Sequence, residues 1–244
     1  MQKALAATGV ASRRKIESWI SAGRITVNGE VAVLGSKVTR ADRIAIDGKP
    51  VELAAAARPR VLAYHKPVGQ ICSRDDPEGR TTVFSRLPRP ASGRWINVGR
   101  LDINSSGLLL FTTDGALANA LMRPASEVAR EYRVRVLGEV SEQKLRQLRR
   151  GVQLDDGKAR FTAVTRQESA GGANTWFLCR LAEGRNREVR RLWEAVGCKV
   201  NRLIRTRYGS VTLQRNLAAG EHRELDGREL TRLYRCCGLA APAP

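Results

Sequence analysis

The sequence predicts an α+β protein in two parts: a small module of two helices followed by short strands, then a larger domain mixing strands with helices. Three observations predict this. The first 53 residues carry two short helical patterns and then two turn dipeptides, Asn28-Gly29 and Asp47-Gly48, each between short strand candidates. Residues 54–59 are Ala-rich, end in Arg58-Pro59 and break the periodic pattern, as a linker does. Beyond them, short apolar runs bounded by Gly, Asn and Ser alternate with amphipathic helical stretches.

In the first part, Gln2 to Thr8 is a short helix stopped by Gly9. Ser12 caps a second helix whose Ile16, Trp19 and Ile20 share one face, and Gly23 ends it. Arg24 to Val33 then reads as a hairpin whose Asn28-Gly29 supplies the two positive-φ positions of a type I′ turn. A second strand pair, Arg43 to Ile46 and Pro50 to Leu53, straddles Asp47-Gly48.

The larger domain opens with a strand, Arg60 to Tyr64, followed by His65-Lys66-Pro67 and a polar loop, Ser73 to Arg80. A lone His beside a strand is an ordinary packing residue, so His65 is not a candidate. Two apolar runs, Trp95 to Val98 and Leu108 to Phe111, flank a turn-prone connection carrying one carboxylate, Asp102. Thr113 or Asp114 caps a helix that stops at Met122, before Pro124. Arg130 to Leu137 alternates strictly, with Tyr132, Val134 and Val136 on one face and Arg133 and Arg135 on the other. Ser141 caps a helix to Arg150, and strands follow at Arg160 to Val164 and Thr175 to Leu181. Asn186 is expected to cap a further helix, with Val189, Leu192, Trp193 and Val196 on its apolar face and Gly197 at its end.

Charge narrows the function. The chain has 244 residues and 43 Lys+Arg against 24 Asp+Glu, a formal net charge of +19. So basic a chain fits a polyanionic partner, nucleic acid before anionic membrane. Residues 180–215 hold ten Lys+Arg, nine of them Arg, against three Asp+Glu, the densest basic region. Five Cys without a CxxC spacing and two distant His do not make a zinc site or a disulfide framework, and scattered thiols fit a reducing, cytoplasmic setting. No apolar run approaches membrane-spanning length, so no membrane partner is expected. No phosphate-cradling GxxxxGK[ST] loop and no Ser–His–Asp set is visible. What remains is Asp102 as nucleophile or base on a nucleoside, or merely as the closing residue of an Asx-turn. A glycosidase or nuclease pairing Asp102 with Asp114 is a third reading, although Asp114 stands where a helix cap is expected.

Two resemblances add to this. QKALAATGVASRRKIESWISAGRITVNG resembles the small RNA-binding module named after ribosomal protein S4, from Gln2 to roughly Gly48. The resemblance implies an RNA-binding face containing Arg13, Arg14, Lys15 and Arg24. GRLDINSSGLLLFTTDG resembles the motif around the catalytic aspartate of the pseudouridine synthases, in the branch that includes the small-subunit rRNA enzyme A. LAYHKPVG, AREYRVRV and EGRNREVRRL fit the same branch in order and spacing, from Arg60 to about Gly209. The wording of EGRNREVRRLWEAVG is nearest to members acting on the large ribosomal subunit.

The resemblance implies an S4-like α/β module at residues 1–53, a linker at 54–59, a catalytic domain at 60–235 and a tail at 236–244. The catalytic domain would hold a mainly antiparallel mixed sheet flanked by helices. Asp102 would attack a flipped-out uridine of large-subunit ribosomal RNA, at the ring or by taking a sugar proton. Tyr132 would stack on the base and its phenol could move a proton. Arg190, with Arg191 as the alternative, would pair with the aspartate, and Arg100 would fill the gap left by the base. Arg185, Arg187 and Arg191 would join the S4-like module on the RNA backbone, making binding salt-sensitive. An isomerisation needs no cofactor and no metal, and a cytoplasmic monomer acting on a stem-loop is expected. Small-subunit rRNA is the alternative target, and a non-catalytic ribosome-assembly protein the alternative class. One departure stands out: many relatives have Gln where this chain has Glu188, adding a carboxylate beside the site.

Overall fold

Two compact units make up the computed structural model, which describes residues 1–53, 58–167 and 174–242. The first gathers residues 1–60 with 88–96 and 112–115, and so takes in more than the helix-and-strand module at 1–53. Of the expected linker, residues 54–57 lie outside the described residues, as do residues 243–244 of the tail.

In the first unit, α1 (Gln2–Thr8) ends at Gly9, and the Ser12 side chain accepts from the Lys15 N–H to open α2 (Arg13–Ser21). Gly23, at φ +67°, turns the chain so that its N–H bonds the Ile20 carbonyl and the Arg24 N–H bonds the Trp19 carbonyl. Two otherwise orphaned helix carbonyls are thereby satisfied. Four strands follow: β1 (Ile25–Val27), β2 (Glu30–Val31), β3 (Ile44–Ile46) and β4 (Lys49–Val51), in sheet order β2-β1-β3-β4. Both hairpin turns use paired positive-φ residues, Asn28-Gly29 and Asp47-Gly48. Leu5, Ile16, Ile20, Ile25, Ala32 and Ile44 form the core of this unit.

The second unit, apart from the end residues Ile96, Thr112 and Gly115, is built on β5 (Val61–Lys66), β6 (Ile96–Val98), β7 (Ser106–Thr112), α3 (Gly115–Met122), β8 (Arg130–Leu137) and α4 (Glu142–Arg150). It continues through the hairpin β9 (Val152–Leu154) and β10 (Gly157–Ala159), then β11 (Ala163–Arg166), β12 (Asn174–Leu181) and α5 (Glu188–Glu194). It closes with β13 (Lys199–Tyr208), β14 (Val211–Thr212), β15 (His222–Glu224) and α6 (Gly227–Arg235). The large sheet runs β11-β12-β8-β13-β7-β5-β15, with β14 on β13 and β6 on β7. Strands β11, β12, β8 and β13 are antiparallel neighbours, β13 and β7 are parallel, and β5 and β15 are antiparallel. The expected α+β class with a mixed, mainly antiparallel sheet is therefore found.

The alternation of β8 places Tyr132, Val134 and Val136 in the core and leaves Arg133 and Leu137 exposed. Helix α5 packs on the buried face, where the Trp193 and Phe177 rings lie 4.8 Å apart. Gly107, at φ +108°, lets β7 approach β13: a Cβ there would stand 2.3 Å from the Arg205 carbonyl oxygen. The Ser-Ser-Gly that reads as a turn is thus the start of a central strand pairing.

One local expectation changes, and two elements are present that the sequence pattern does not announce. Asn186 does not cap α5: the helix starts at Glu188, and Arg187 takes the capping position in left-handed conformation at φ +48° without a side-chain cap. The long central strand β13 is not visible as a period-two pattern, because register shifts at Val200/Arg202 and Arg205/Arg207 interrupt it. Helix α6, also unexpected, has an Asp226–Glu229 capping box, in which each side chain accepts from the other's backbone N–H.

Candidate active site

Asp102 lies on the connection between β6 and β7, and that connection is held by its own carbonyls. All six from Arg100 to Ser105 accept a hydrogen bond. Arg205 donates to Arg100 at 3.4 Å, the Cys72 thiol to Leu101 at 3.3 Å and the Gly69 N–H to Ile103 at 2.8 Å. Arg190 donates to Asn104 at 3.3 Å. Lys66 Nζ donates to Asp102 at 3.0 Å and to Ser105 at 2.8 Å, and its third proton goes to Pro67 at 3.0 Å. The Ser105 N–H closes the turn onto the Asp102 carbonyl at 3.0 Å.

Lys66 is wholly buried, and burial pushes its ammonium below the usual lysine range. Three carbonyl dipoles replace its lost hydration. Lys66 is the residue that sequence reading missed. The signal was present: a lysine ending an apolar strand must reach polar partners when both faces of that strand are covered.

The carboxylate is treated differently from the backbone that carries it. Among the described residues, no hydrogen bond reaches either Asp102 oxygen, and its side chain is 35% exposed. Two guanidinium groups flank Oδ2, Arg187 Nη1 at 3.8 Å and Arg190 Nε at 3.9 Å. Arg190 is fixed from the other side: Nη1 donates to the Val200 carbonyl at 2.9 Å, and Nη2 to Asn104 and to Ser105 Oγ. Burial, then the charge of Arg187, lowers the Arg190 guanidinium, and the nearby Asp102 carboxylate raises it. Its buried Nε has no hydrogen-bond acceptor and faces Asp102 alone.

Tyr132 is buried in β8, opposite Arg205 of β13, which is itself opposite Gly107 of β7. The phenol-bearing strand is therefore two strands from the one that Asp102 introduces. Arg205 is buried, and its Nε donates to the Leu108 carbonyl at 2.7 Å, tying β13 to β7.

The remaining candidates separate into engaged and exposed. Arg191, about 100° round the helix from Arg190, forms a two-pronged pair with Asp156 at 2.9 and 2.8 Å and does not meet Asp102. Arg185 is held by Glu183 at 2.9 Å and by the Asp156 and Lys158 carbonyls. Arg24 pairs with Asp47, so its charge is matched within the first unit. Arg13, Arg14, Lys15 and Arg100 are exposed. Glu188, the departure from the resemblance, is buried with its Oε2 accepting the Arg185 N–H at 2.9 Å and its Oε1 unpartnered. Burial pushes its carboxyl up to about 7, the Arg185 N–H pulls it down, and the neighbouring Glu183 pushes it up again.

A carboxylate with free oxygens, a braced backbone and flanking cations suits covalent or proton-transfer chemistry on an anion-bearing substrate. Residues 60–195 match the family model described as RNA pseudouridylate synthase, and residues 2–44 match the S4 domain. The chain belongs to the RNA pseudouridylate synthase family. It is 54% identical over 241 residues to the ribosomal large subunit pseudouridine synthase B of Pseudomonas aeruginosa, covering 98% of this chain and 62% of that protein. It is 56% identical over 230 residues to the protein of that name from Salmonella typhi, covering 93% of this chain and 79% of the relative. Both names refer to the large subunit, so the branch named for the small-subunit enzyme is corrected to that of synthase B. A crystal structure of a pseudouridylate synthase superposes with TM-score 0.65 at 26% identity, covering 95% of this chain and 98% of that one.

Proposed function

We propose that this protein converts a uridine of large-subunit ribosomal RNA to pseudouridine, with Asp102 as the reacting carboxylate. One observation carries the reading: among the described residues the Asp102 carboxylate oxygens make no hydrogen bond, while every carbonyl of their loop accepts one, and two guanidinium groups stand 3.8 and 3.9 Å away. The loop sets the carboxylate in place and leaves its lone pairs for substrate. The uridine is extruded from its stack at a cost of a few kcal/mol, because a stacked uracil cannot present its reacting carbons to the acid. Asp102 attacks the ring or takes a sugar proton, and the C1′–N1 bond breaks. The uracil turns, C1′–C5 forms, the C5 proton leaves, N1 takes up a proton and Asp102 is released as the carboxylate, so the reaction balances without an external reductant or energy source.

Tyr132 stacks on the extruded base, Arg190 pairs with Asp102, and Arg100 occupies the vacated stack. Arg187, at the N-terminus of α5, serves both the carboxylate and the RNA backbone. Arg13, Arg14 and Lys15 contact RNA from an S4-like module at residues 1–53, joined through 54–59 to a catalytic domain at 60–235 with a tail beyond. Arg24, Arg185 and Arg191 give up part of their phosphate-binding capacity to Asp47, Glu183 and Asp156. The protein acts in the cytoplasm, as a monomer, on a stem-loop.

The test is to incubate unmodified ribosomal RNA with the protein and map carbodiimide-reactive uridines. One new adduct in large-subunit RNA is expected, absent with Asp102→Asn. No adduct, or one undiminished by Asp102→Asn, overturns the reading, and an adduct in small-subunit RNA moves the target.

A further inference from the structure

The face of the large sheet opposite Tyr132 carries a basic surface that the chemistry above does not use. Along β8 it presents Glu131, Arg133, Arg135 and Leu137, half-buried or exposed. Register sets Trp176 of β12 and Arg202 of β13 on either side of Arg135, and Leu178 and Ile204 on either side of Arg133. Arg180 and Arg207 flank Glu131, and Lys199 lies beside Leu137. Five arginines and one lysine thus share three strands with a single carboxylate, Glu131, which Arg180 meets at 3.0 Å. Like charges on neighbouring strands oppose each other, so the fold bears a cost here that a polyanion would offset.

The arrangement is also aimed. The Arg133 and Arg135 guanidinium carbons lie 5.0 and 6.0 Å from the centre of the half-buried Trp176 ring. Arg133 Nε donates to Gln167 Oε1 at 3.1 Å and Arg135 Nε to Asn201 Oδ1 at 2.9 Å. Each Nε bond fixes its guanidinium and leaves the terminal nitrogens, the pair that suits a phosphate, turned away from that bond. An aromatic ring with guanidinium groups beside it is a pattern that holds one stacked base with its flanking phosphates. Three strands spaced ~4.8 Å apart give a strip about 10 Å wide, enough for one RNA strand.

We propose that this open face is a second RNA-docking surface, taking a single-stranded segment of the same ribosomal RNA, with one base on Trp176 and its phosphates on Arg133, Arg135 and Arg202. It lies on the far side of the sheet from Tyr132, so it grips RNA remote from the reacting uridine. The inference rests on the rRNA reading above but is tested by binding, not by turnover. Filter retention of deproteinised large-subunit RNA at low and moderate salt would compare wild type, the triple variant Arg133→Ala/Arg135→Ala/Trp176→Ala, and Arg146→Ala/Arg150→Ala as a charge control on exposed α4.

The triple variant should bind about tenfold more weakly or worse, with a salt slope shallower by about 2, and the control should change less than threefold. Trp176→Phe should retain affinity where Trp176→Ala loses it. Unchanged affinity in the triple variant, or an equal loss in the control, overturns the proposal. An acidic protein as the true occupant would appear as unchanged RNA affinity. Should the triple variant fail to fold, Arg202→Glu alone, at an exposed position, must weaken RNA binding for the proposal to stand.

Discussion

The connection 100–105 carries the Asp102 carboxylate and the turn 183–188 brings Arg187 to it, yet the two short polar segments are held in opposite ways. In the first, every carbonyl accepts a hydrogen bond and the reacting oxygens accept none. In the second, charged side chains hold one another: Arg185 grips Glu183, Glu188 caps the Arg185 N–H, and one buried oxygen of Glu188 has no partner. The first segment is rigid because neutral backbone dipoles are satisfied by buried cations. The second is held by ionisable groups, and its geometry depends on their charge. Arg190 joins the two, leaving the helix after the turn and ending on Asn104 and Ser105.

Removing the lysine should break the comparison most severely. Lys66→Met keeps the stem in its buried slot but takes the Lys66 donor from the Pro67 and Ser105 carbonyls and leaves the Asp102 carbonyl with the Ser105 N–H alone, each lost donor costing on the order of 1 kcal/mol. Thermal unfolding should fall by several degrees, and pseudouridine formation should drop by two orders of magnitude or more. Asp102→Asn offers the contrast, since its side chain holds nothing: activity is lost with the melting temperature almost unmoved. Equal melting temperatures for Lys66→Met and wild type would show that the loop does not need its clamp.

Arg190 and its neighbour sharpen the division between the two segments. Arg190→Ala removes the ion-pair partner of Asp102 and the donor to Asn104, so it should lower turnover by roughly 100-fold, an effect of about 3 kcal/mol on the barrier. Arg191→Ala loses only the partly exposed pair with Asp156, a contact of about 0–1 kcal/mol, and should stay within a few-fold of wild type. Single-turnover rates at saturating RNA separate these effects, and comparable losses in the two variants would remove Arg190 from its special place.

What was readable in the sequence follows the same division. Two apolar runs and a turn-prone connection left Asp102 open as a turn residue, and the resemblance of GRLDINSSGLLLFTTDG singled it out, while the strict alternation of β8 placed Tyr132 on the buried face. Lys66 escaped because a lysine before proline looks like the exposed end of a strand, whereas β5 is covered on both faces. The start of α5 was misplaced because Asn186 is the better capping residue by type, but Arg187 takes the left-handed conformation and Glu188 bonds back to the turn. In the basic stretch 180–215, charge density was plain from composition. Which arginines are spent on carbonyls and carboxylates, and which remain for RNA, depended on partners distant in sequence.

A further expected effect, on stability and not on turnover, concerns Glu188 and is a matter of pH. Its carboxyl sits at about 7 in the folded chain, above its ordinary 4.5, so the folded state holds a proton that the unfolded chain releases earlier. The stabilising contribution of the neutral form is complete below about pH 4.5 and is lost as pH rises through about 7, amounting to on the order of 1–3 kcal/mol. Glu188→Gln presents the same shape without the titration, so its stability should stay flat across that window and exceed wild type at pH 8. Urea unfolding at pH 5 and pH 8 measures the difference. Parallel behaviour of the two proteins would mean that the turn beside Arg187 keeps its geometry whatever the charge on Glu188, and that both segments flanking Asp102 are equally rigid.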